Sequence, residues 1–192
     1  MKQIHFVKLL FVVSFLFIIG TIPMRGETAT ITFKSQSTGT SDGNTEYTTK
    51  NFVSNGINSN DATFGTISCS ATSKCYSGKS GYGMKIGTSS NSGSFTISFT
   101  AISNVTGITI NCASYSASNK SCSITVKNGS TTLGTHTTSS SSAAFSDAVI
   151  SGLNIASLST LTLSTTKYCY VKSITLTYSS SGSTETTVYF HP

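Results

Sequence analysis

The sequence predicts an all-β fold, a two-sheet antiparallel β-sandwich of the jelly-roll or Greek-key type. Apolar and small polar side chains alternate strictly in three segments, Phe95–Phe99, Ile108–Cys112 and Cys122–Val126. Because successive side chains of a strand point to opposite faces, each segment has one apolar and one polar face. An apolar face must be covered, and many short strands with turn-rich joints predict that a second sheet covers it.

Composition supports sheet over helix. Only 9% of the 192 residues are charged, and Ser, Thr, Asn and Gly dominate the polar positions. No apolar stripe at helical spacing follows Gly20. The formal net charge is +6, but Lys2, Lys8 and Arg25 lie in or beside the N-terminal leader, and the other lysines are scattered along the sequence. Scattered lysines do not predict a phosphate-binding patch, so we expect no nucleic-acid partner.

The N-terminus is typical of a signal peptide. Lys2 and Lys8 precede the apolar run Leu9–Ile19, which is shorter than the roughly 20 residues that a membrane-spanning helix needs. We expect export to the extracellular space or cell surface, with the periplasm as an alternative, and no stable membrane span after cleavage. An uncleaved N-terminal anchor is the other interpretation. The expected organisation is a signal peptide at 1–26, a β-sandwich domain at 29–179 and a polar C-terminal tail at 180–192.

The first half of the domain contains four predicted strands separated by polar loops. Thr28–Lys34 alternates around Ile31 and Phe33, and Tyr82–Ile86 leads into a Gly- and Ser-rich turn. Tyr47–Val53 and Phe64–Ser70 are shorter predicted strands of uncertain register. The intervening segments are rich in Gly, Asn, Asp and Ser, residues that favour turns.

The second half adds a hairpin and three further strands. Asn128-Gly129 predicts a type I′ turn, because both central residues of that turn need positive φ. Its return strand is Thr131–His136. In Tyr168–Tyr178 the apolar parity changes, which indicates a bulge near Lys172-Ser173. The two remaining predicted strands are Phe145–Leu153 and Leu158–Leu163.

The inward-facing positions of these strands define the expected core. Its members are apolar residues of one parity within each strand. They are Ile31, Phe33, Phe95, Ile97, Phe99, Ile108, Ile110, Ile124, Val126, Leu161, Leu163, Ile174 and Leu176.

Four segments resemble a recurrent domain of secreted Bacteroidetes-type proteins. They are GMKIGTSS (Gly83–Ser90), GSFTI (Gly93–Ile97), VTGITI (Val105–Ile110) and YVKSITLTY (Tyr170–Tyr178). Such domains pair a K-x-G hairpin with a V-T-x-hydrophobic strand and close on a strand of the last type. The resemblance covers most of 29–179 and implies a jelly-roll accessory domain of the kind attached to surface and carbohydrate-handling proteins. The resemblance implies no catalytic motif for this sequence.

The cysteines offer one cross-strand disulfide. Cys112 and Cys122 lie symmetrically about Ala117 if Ser114–Lys120 is a hairpin loop, and directly opposed residues of such a hairpin can be bridged. Two buried free thiols are the alternative interpretation. Cys69 and Cys75 offer another bridge, or one of them reaches Cys169. Since there are five cysteines, at least one thiol stays unpaired within the monomer.

Metal and catalytic signals are sparse. Asp42, Asn44 and Glu46 alternate in one loop and form a weak calcium candidate, but they lack the full ligand pattern of an EF-hand. No zinc-ligand spacing and no nucleophile elbow occur, and the few carboxylates form no recognisable glycosidase pair. We therefore expect no cofactor and no enzymatic activity.

Glycan binding is the functional hypothesis that the residues favour. Tyr76, Tyr82, Tyr115 and Tyr168 fall in or beside loops rich in Asn and Ser, where exposed rings offer stacking surfaces for sugars. The alternative for each ring is half-buried packing at a strand end. The sequence thus predicts a secreted or cell-surface, non-catalytic binding or adhesion module with a glycan partner. Two alternatives are a purely structural surface protein, or a fragment of a longer one, and a secreted hydrolase built on the Asp42–Glu46 or Asp61 loops.

Overall fold

The computed structural model describes residues 25–115, 121–138 and 144–180. The predicted signal peptide up to residue 24 and the tail after Ser180 lie outside these ranges, so their predictions stand untested. The compact domain is Gly26–Ser180. Its two ends meet, because the Ser180 hydroxyl hydrogen-bonds the Glu27 carboxylate at 2.5 Å. No helix in the described ranges is both long and apolar enough to cross a membrane.

Strands dominate the domain, as the alternating segments predict. A short helix, α1 (Phe52–Gly56), and a 3₁₀ turn, Ala62–Phe64, are the helical elements of the described residues. The strands are β1 (Arg25–Phe33), β2 (Ile57–Asn60), β3 (Ser68–Ser73), β4 (Cys75–Ser77), β5 (Met84–Ile86), β6 (Gly93–Ser114), β7 (Ser123–Asn128), β8 (Thr131–Thr137), β9 (Ser146–Thr165) and β10 (Cys169–Ser180).

Two long strands run through both layers of the sandwich. The first half of β6 pairs with β3 and with the end of β9, and its second half pairs with β10 and with the start of β9. The pairing shifts between Ser98 and Ile102 and again between Val105 and Gly107, where the strands bend. Consequently the layers belong to one continuous antiparallel sheet in the order β2-β1-β10-β6-β9-β7-β8, with β3 on β6 and β5-β4 on β10.

The core lies between the layers. Phe33 of β1 and Phe52 of α1 contact Phe95 of β6, with ring centroids 5.5 and 5.0 Å apart. All thirteen predicted core residues, from Ile31 to Leu176, are buried. The predicted antiparallel sandwich and its core are therefore confirmed, and the continuity of its two layers is a feature that the sequence did not indicate.

The predicted strand Tyr47–Val53 is wrong, and the predicted strand Phe64–Ser70 is correct only at its end. Within Tyr47–Val53, a turn closed by the Asn51 side chain, which accepts the Thr48 N–H at 2.8 Å, leads into α1. Within Phe64–Ser70, Phe64 ends the 3₁₀ turn, and β3 begins only at Ser68. In both places a buried aromatic ring anchors a tight turn, and alternation alone does not distinguish that from a strand.

The hairpin and the bulge of the second half are present. Val171 pairs with Cys112 and Ser173 with Asn111, so Lys172 is the extra residue of the predicted bulge. The β7–β8 turn is shifted by one residue from its predicted place, because Asn128 pairs with Thr131 and the loop is Gly129-Ser130. Gly129 alone of these two has positive φ, 56°, so the turn is not type I′. Segments Phe145–Leu153 and Leu158–Leu163 merge into the single strand β9.

A candidate glycan-binding face

A row of paired residues crosses four strands on the outer face of one layer. Tyr76 of β4 pairs with Lys85 of β5, Lys85 pairs with Tyr170 of β10, and Tyr170 pairs with Ala113 of β6. Their neighbours along the strands, such as Ile86 and Cys169, belong to the hydrophobic core. Since adjacent residues of a strand face opposite sides, Tyr76, Lys85 and Tyr170 face away from that core.

Aromatic rings continue this row into a connected series, which we call the aromatic row. Its rings follow one another with centroid distances of 5.4 Å from Phe145 to Tyr82, 5.0 Å from Tyr82 to Tyr170, 5.5 Å from Tyr170 to Tyr115 and 4.2 Å from Tyr115 to Tyr168. The first two contacts are edge-to-face and the last two are stacked. Such contacts fix the rings relative to one another.

The structure brings all four predicted tyrosines to this face. Tyr82, Tyr115 and Tyr168 are members of the aromatic row, and Tyr76 joins it through Lys85, whose ammonium lies 4.7 Å from the Tyr76 centroid and 5.8 Å from the Tyr168 centroid. All four rings are partly exposed, whereas Tyr170 at their centre is 1% exposed. These four rings are thus half-buried, as one interpretation expects, and they also share one surface. That they bind a ligand stays a prediction.

Asp42 holds a loop over the aromatic row. Its carboxylate accepts hydrogen bonds from the Tyr170 hydroxyl and the Lys79 backbone N–H, both at 2.9 Å, and forms an ion pair with Lys85 at 3.4 Å. The Asp42 side chain is only 7% exposed. Burial, together with the hydrogen bond to the Asp42 carboxylate and its charge, raises the pKa of Tyr170 far above its usual value. Burial and the Asp42 charge also raise the pKa of Tyr115.

Glu46 makes a separate polar cluster at the edge of the row. It accepts the Lys74 N–H at 2.5 Å, pairs with the Lys74 ammonium at 3.1 Å and lies 3.2 Å from the Tyr76 hydroxyl. The Lys74 backbone hydrogen bond is the main cause that lowers the pKa of Glu46. The carboxylates of Asp42 and Glu46 therefore pair with different lysines. This is not the arrangement of the predicted calcium site, in which both would surround one cation together with Asn44. Among the described residues no cluster of metal-binding side chains occurs.

Lys172 gathers here with Lys79 and Lys85, which lie more than 80 positions earlier in the sequence. The Lys79 ammonium lies 4.1 Å from the Tyr82 centroid, that of Lys172 lies 3.9 Å from Phe145, and Lys85 lies between Tyr76 and Tyr168. Sequence reasoning missed this cluster because lysine spacing along the chain gives no sign of it. It also missed Tyr170, although Tyr168 and Tyr170 alternate and so share one face.

A polar groove adjoins the row through Asp42. The loop Gln36–Asn44 lines an open, shallow groove of about 560 Å³. Its lining consists of amide, hydroxyl and carboxylate side chains with two glycines. The face thus combines aromatic rings, ammonium groups and a loop of hydrogen-bonding side chains.

The β6–β7 hairpin on which the Cys112–Cys122 disulfide was predicted does not form, and the disulfide itself stays a prediction. Strand β7 pairs with β8 and β9, so β9 separates it from β6, and the structure holds all five cysteines as free thiols. The thiols of Cys112 and Cys122 both interact with that of Cys169, whose Sγ lies 3.4 Å from the Ala113 carbonyl oxygen. This interaction between the thiols lowers the pKa of Cys122 to about 6 and raises that of Cys169 well above its ordinary value.

Comparison with solved structures finds carbohydrate-binding modules. A CBM36 module in complex with calcium and xylotriose has a TM-score of 0.41 and 15% identity, and the match covers 60% of this chain and 95% of that one. The module CsCBM6-3 from Clostridium stercorarium, in complex with cellobiose, gives 0.39 and 22%, covering 58% and 85%. A CBM36-1 domain of a multidomain xylanase from the hindgut metagenome of Trinervitermes trinervoides gives 0.39 and 12%, covering 79% and 96%.

No protein-family model matches the chain, and no curated protein matches it. At these identities and TM-scores, the three modules carry no residue role over to this chain. The assignment as a β-sandwich therefore depends on its own strand pairing and core, and a functional argument must start from the aromatic row.

Proposed function

We propose that this protein is an exported, non-catalytic binding module that recognises glycans at the aromatic row. The observation that carries the proposal is the convergence of Tyr76, Tyr82, Tyr115 and Tyr168 on one face. These rings come from separate segments of the chain and meet around Tyr170.

The chemistry of this face suits a sugar chain. Tyrosine rings offer apolar surface to the C–H faces of sugars, and their hydroxyls serve as hydrogen-bonding partners. The Gln36–Asn44 loop adds amide and hydroxyl groups beside Asp42. Recognition sites of this kind join apolar surface to a few polar groups held on a rigid scaffold. Here the sheet and the buried Asp42–Tyr170 hydrogen bond are that scaffold.

The contacts of the carboxylates favour binding over hydrolysis. Asp42 and Glu46 are held by Lys85 and Lys74, and Asp61 accepts the Thr30 N–H at 2.6 Å. A glycosidase needs two carboxyl groups that flank one bond, with one of them free to exchange a proton. In this domain the three carboxylates connect segments of the chain.

A glycan array with the purified protein, followed by titration calorimetry, tests the proposal. Tyr168→Ala and Tyr82→Ala should each weaken binding about tenfold, equivalent to about 1.4 kcal/mol, because each removes a ring of the row. Tyr178→Ala is the matched control, since Tyr178 lies at the other end of β10 and packs on the core. Thermal unfolding of each variant shows whether the fold is intact.

Three other outcomes overturn the proposal. Absence of binding to any glycan, with no hydrolysis of a broad substrate panel, would favour a structural surface protein. Equal loss of binding in Tyr168→Ala and Tyr178→Ala would move the site away from the row. Glycan hydrolysis that is abolished in Asp61→Asn would favour the hydrolase.

A further inference from the structure

The positions of the lysine side chains restrict the kind of glycan that this face accepts. This inference rests on the proposed function and concerns the charge of the ligand. At one end of the row, the Lys172 ammonium lies 3.9 Å from the Phe145 centroid. Next to it, the Lys79 ammonium lies 4.1 Å from the Tyr82 centroid and 5.9 Å from that of Tyr170. Ammonium groups thus lie over two neighbouring rings of the row.

The charges on this face do not cancel. Within the described residues, Asp42 pairs with Lys85 and Glu46 pairs with Lys74. Lys79 and Lys172 form no ion pair within those same ranges, so two positive charges remain unbalanced. The two ammonium groups lie over Tyr82 and Phe145, whose ring centroids are 5.4 Å apart. Both charges are therefore within reach of one bound sugar chain.

A neutral sugar and an anionic sugar meet these lysines differently. A neutral sugar that stacks on Tyr82 or Phe145 must displace an ammonium group from the ring and loses the cation–π attraction. An acidic group instead binds the ammonium where it lies, while the ring and its neighbours contact the rest of the sugar. Complementary charge also speeds encounter and excludes partners of the wrong charge.

We infer that the aromatic row binds an anionic polysaccharide, one that carries carboxylate or sulfate groups, with Lys79 and Lys172 as the ligands of its acidic groups. Lys85 has a different role, because its ammonium is held by the buried Asp42 carboxylate. The specificity of this face thus comes from two lysines that lie 93 positions apart and meet on either side of the Tyr82–Phe145 contact.

The test compares ligands that differ in charge alone. Titration calorimetry measures binding to polygalacturonate and to its methyl-esterified form, and to dextran sulfate and unsubstituted dextran. We expect binding to an acidic polymer, much weaker binding to its neutral counterpart, and loss of affinity at high salt, because exposed charges are screened. Binding to one of the two acidic polymers and not the other identifies the acidic group as carboxylate or sulfate.

The variants separate specific contacts from net charge. The double variant Lys79→Gln/Lys172→Gln should lose roughly tenfold or more in affinity for the acidic polymer. Lys50→Gln/Lys127→Gln removes the same net charge from residues outside the row and should bind as the unchanged protein does. Thermal unfolding checks that both double variants fold.

Two results overturn the inference alone, and a third overturns the proposed function with it. If neutral and acidic polymers bind equally well and Lys79→Gln/Lys172→Gln has no effect, the ligand is a neutral glycan and the proposed function stands without this specificity. If both double variants lose affinity equally, net charge and not the row attracts the polymer. If no glycan of either kind binds, the proposed function itself fails.

Discussion

The Tyr170 hydroxyl donates a hydrogen bond of 2.9 Å to the Asp42 carboxylate, across 128 positions of the chain. The Tyr170 ring is 1% exposed, and the Asp42 side chain is 7% exposed. The same carboxylate pairs with Lys85 and accepts the Lys79 N–H. A single acidic group therefore holds an N-terminal loop, β5, β10 and the turn after β4 together at the aromatic row.

Replacing Asp42 should cost substantial stability. Asp42→Ala removes the acceptor of Tyr170 and the counter-ion of Lys85, and both groups then stay buried without that partner. We expect the free energy of unfolding to fall by about 3 kcal/mol, measured by urea denaturation. Asp147→Ala is the control, because Asp147 is exposed and its one described side-chain contact is with Asn111. The control should change stability by about 0.5 kcal/mol or less, and an equal loss in both variants would contradict the role of Asp42.

Tyr170 should make the fold sensitive to alkali. The folded-state pKa of Tyr170 is raised above its unfolded value of about 10, so its contribution to stability is complete below that pH and is lost as the pH rises further. The phenolate absorbance of the native protein should therefore show tyrosines that ionise only on unfolding. Tyr170→Phe should remove one of these and flatten the fall of stability above pH about 10. An unchanged alkaline profile in Tyr170→Phe would contradict this account.

A methyl group at Gly83 should displace the segment that carries Tyr82 from strand β10. Gly83 has φ +69°, and a Cβ there would lie 2.3 Å from the Val171 carbonyl oxygen, which is backbone and cannot turn away. We expect Gly83→Ala to lower the free energy of unfolding by about 3 kcal/mol and to weaken ligand binding. Gly81→Ala is the matched control, since Gly81 has φ +77° with no atom within 4 Å of its Cβ position. It should cost only about 1 kcal/mol of backbone strain, and equal losses would show that contact with β10 is unimportant.

The thiols should differ sharply in reactivity. Cys69 is partly exposed, whereas Cys75, Cys112, Cys122 and Cys169 are buried, and burial raises the pKa of Cys75 to about 12. Alkylation of the native, unreduced protein should modify Cys69 first, and the other four should react once denaturant is added. Peptide mapping by mass spectrometry measures this. Cysteines that stay unmodified in denaturant until a reductant is added would reveal a disulfide instead of free thiols.

The sandwich was predictable because burial imposes a simple rule on strands. Wherever one face of a strand is covered, apolar residues recur at every second position, and this rule located Phe95, Ile108 and Leu161 correctly. The rule does not report how strands pair. The continuity of β6 and β9 through both layers, and the place of β9 between β6 and β7, depend on contacts between distant segments. That is why the expected hairpin between Cys112 and Cys122 does not form.

The site was predictable in part. The four tyrosines were found because aromatic residues beside polar loops stand out in a sequence with no tryptophan. For Tyr170 the sequence predicts only a place in a strand, since nothing local indicates a hydrogen bond to Asp42. The lysine cluster depends on register, because Tyr76, Lys85 and Tyr170 meet only when β4, β5 and β10 pair as they do. The pairing of strands that are distant in the sequence cannot be predicted from a single sequence, and neither can the side-chain contacts that depend on it.

The contact between Ser180 and Glu27 has a consequence for tethering. Both ends of the compact domain leave from one point, the end of β10. Tyr170 lies ten residues earlier on the same strand, which is roughly 30 Å away at the rise of an extended chain. A group joined directly at the Glu27–Ser180 contact is therefore separated from Tyr170 by most of the length of β10. Immobilisation through a support joined at Ser180 should leave the ligand face open to solution.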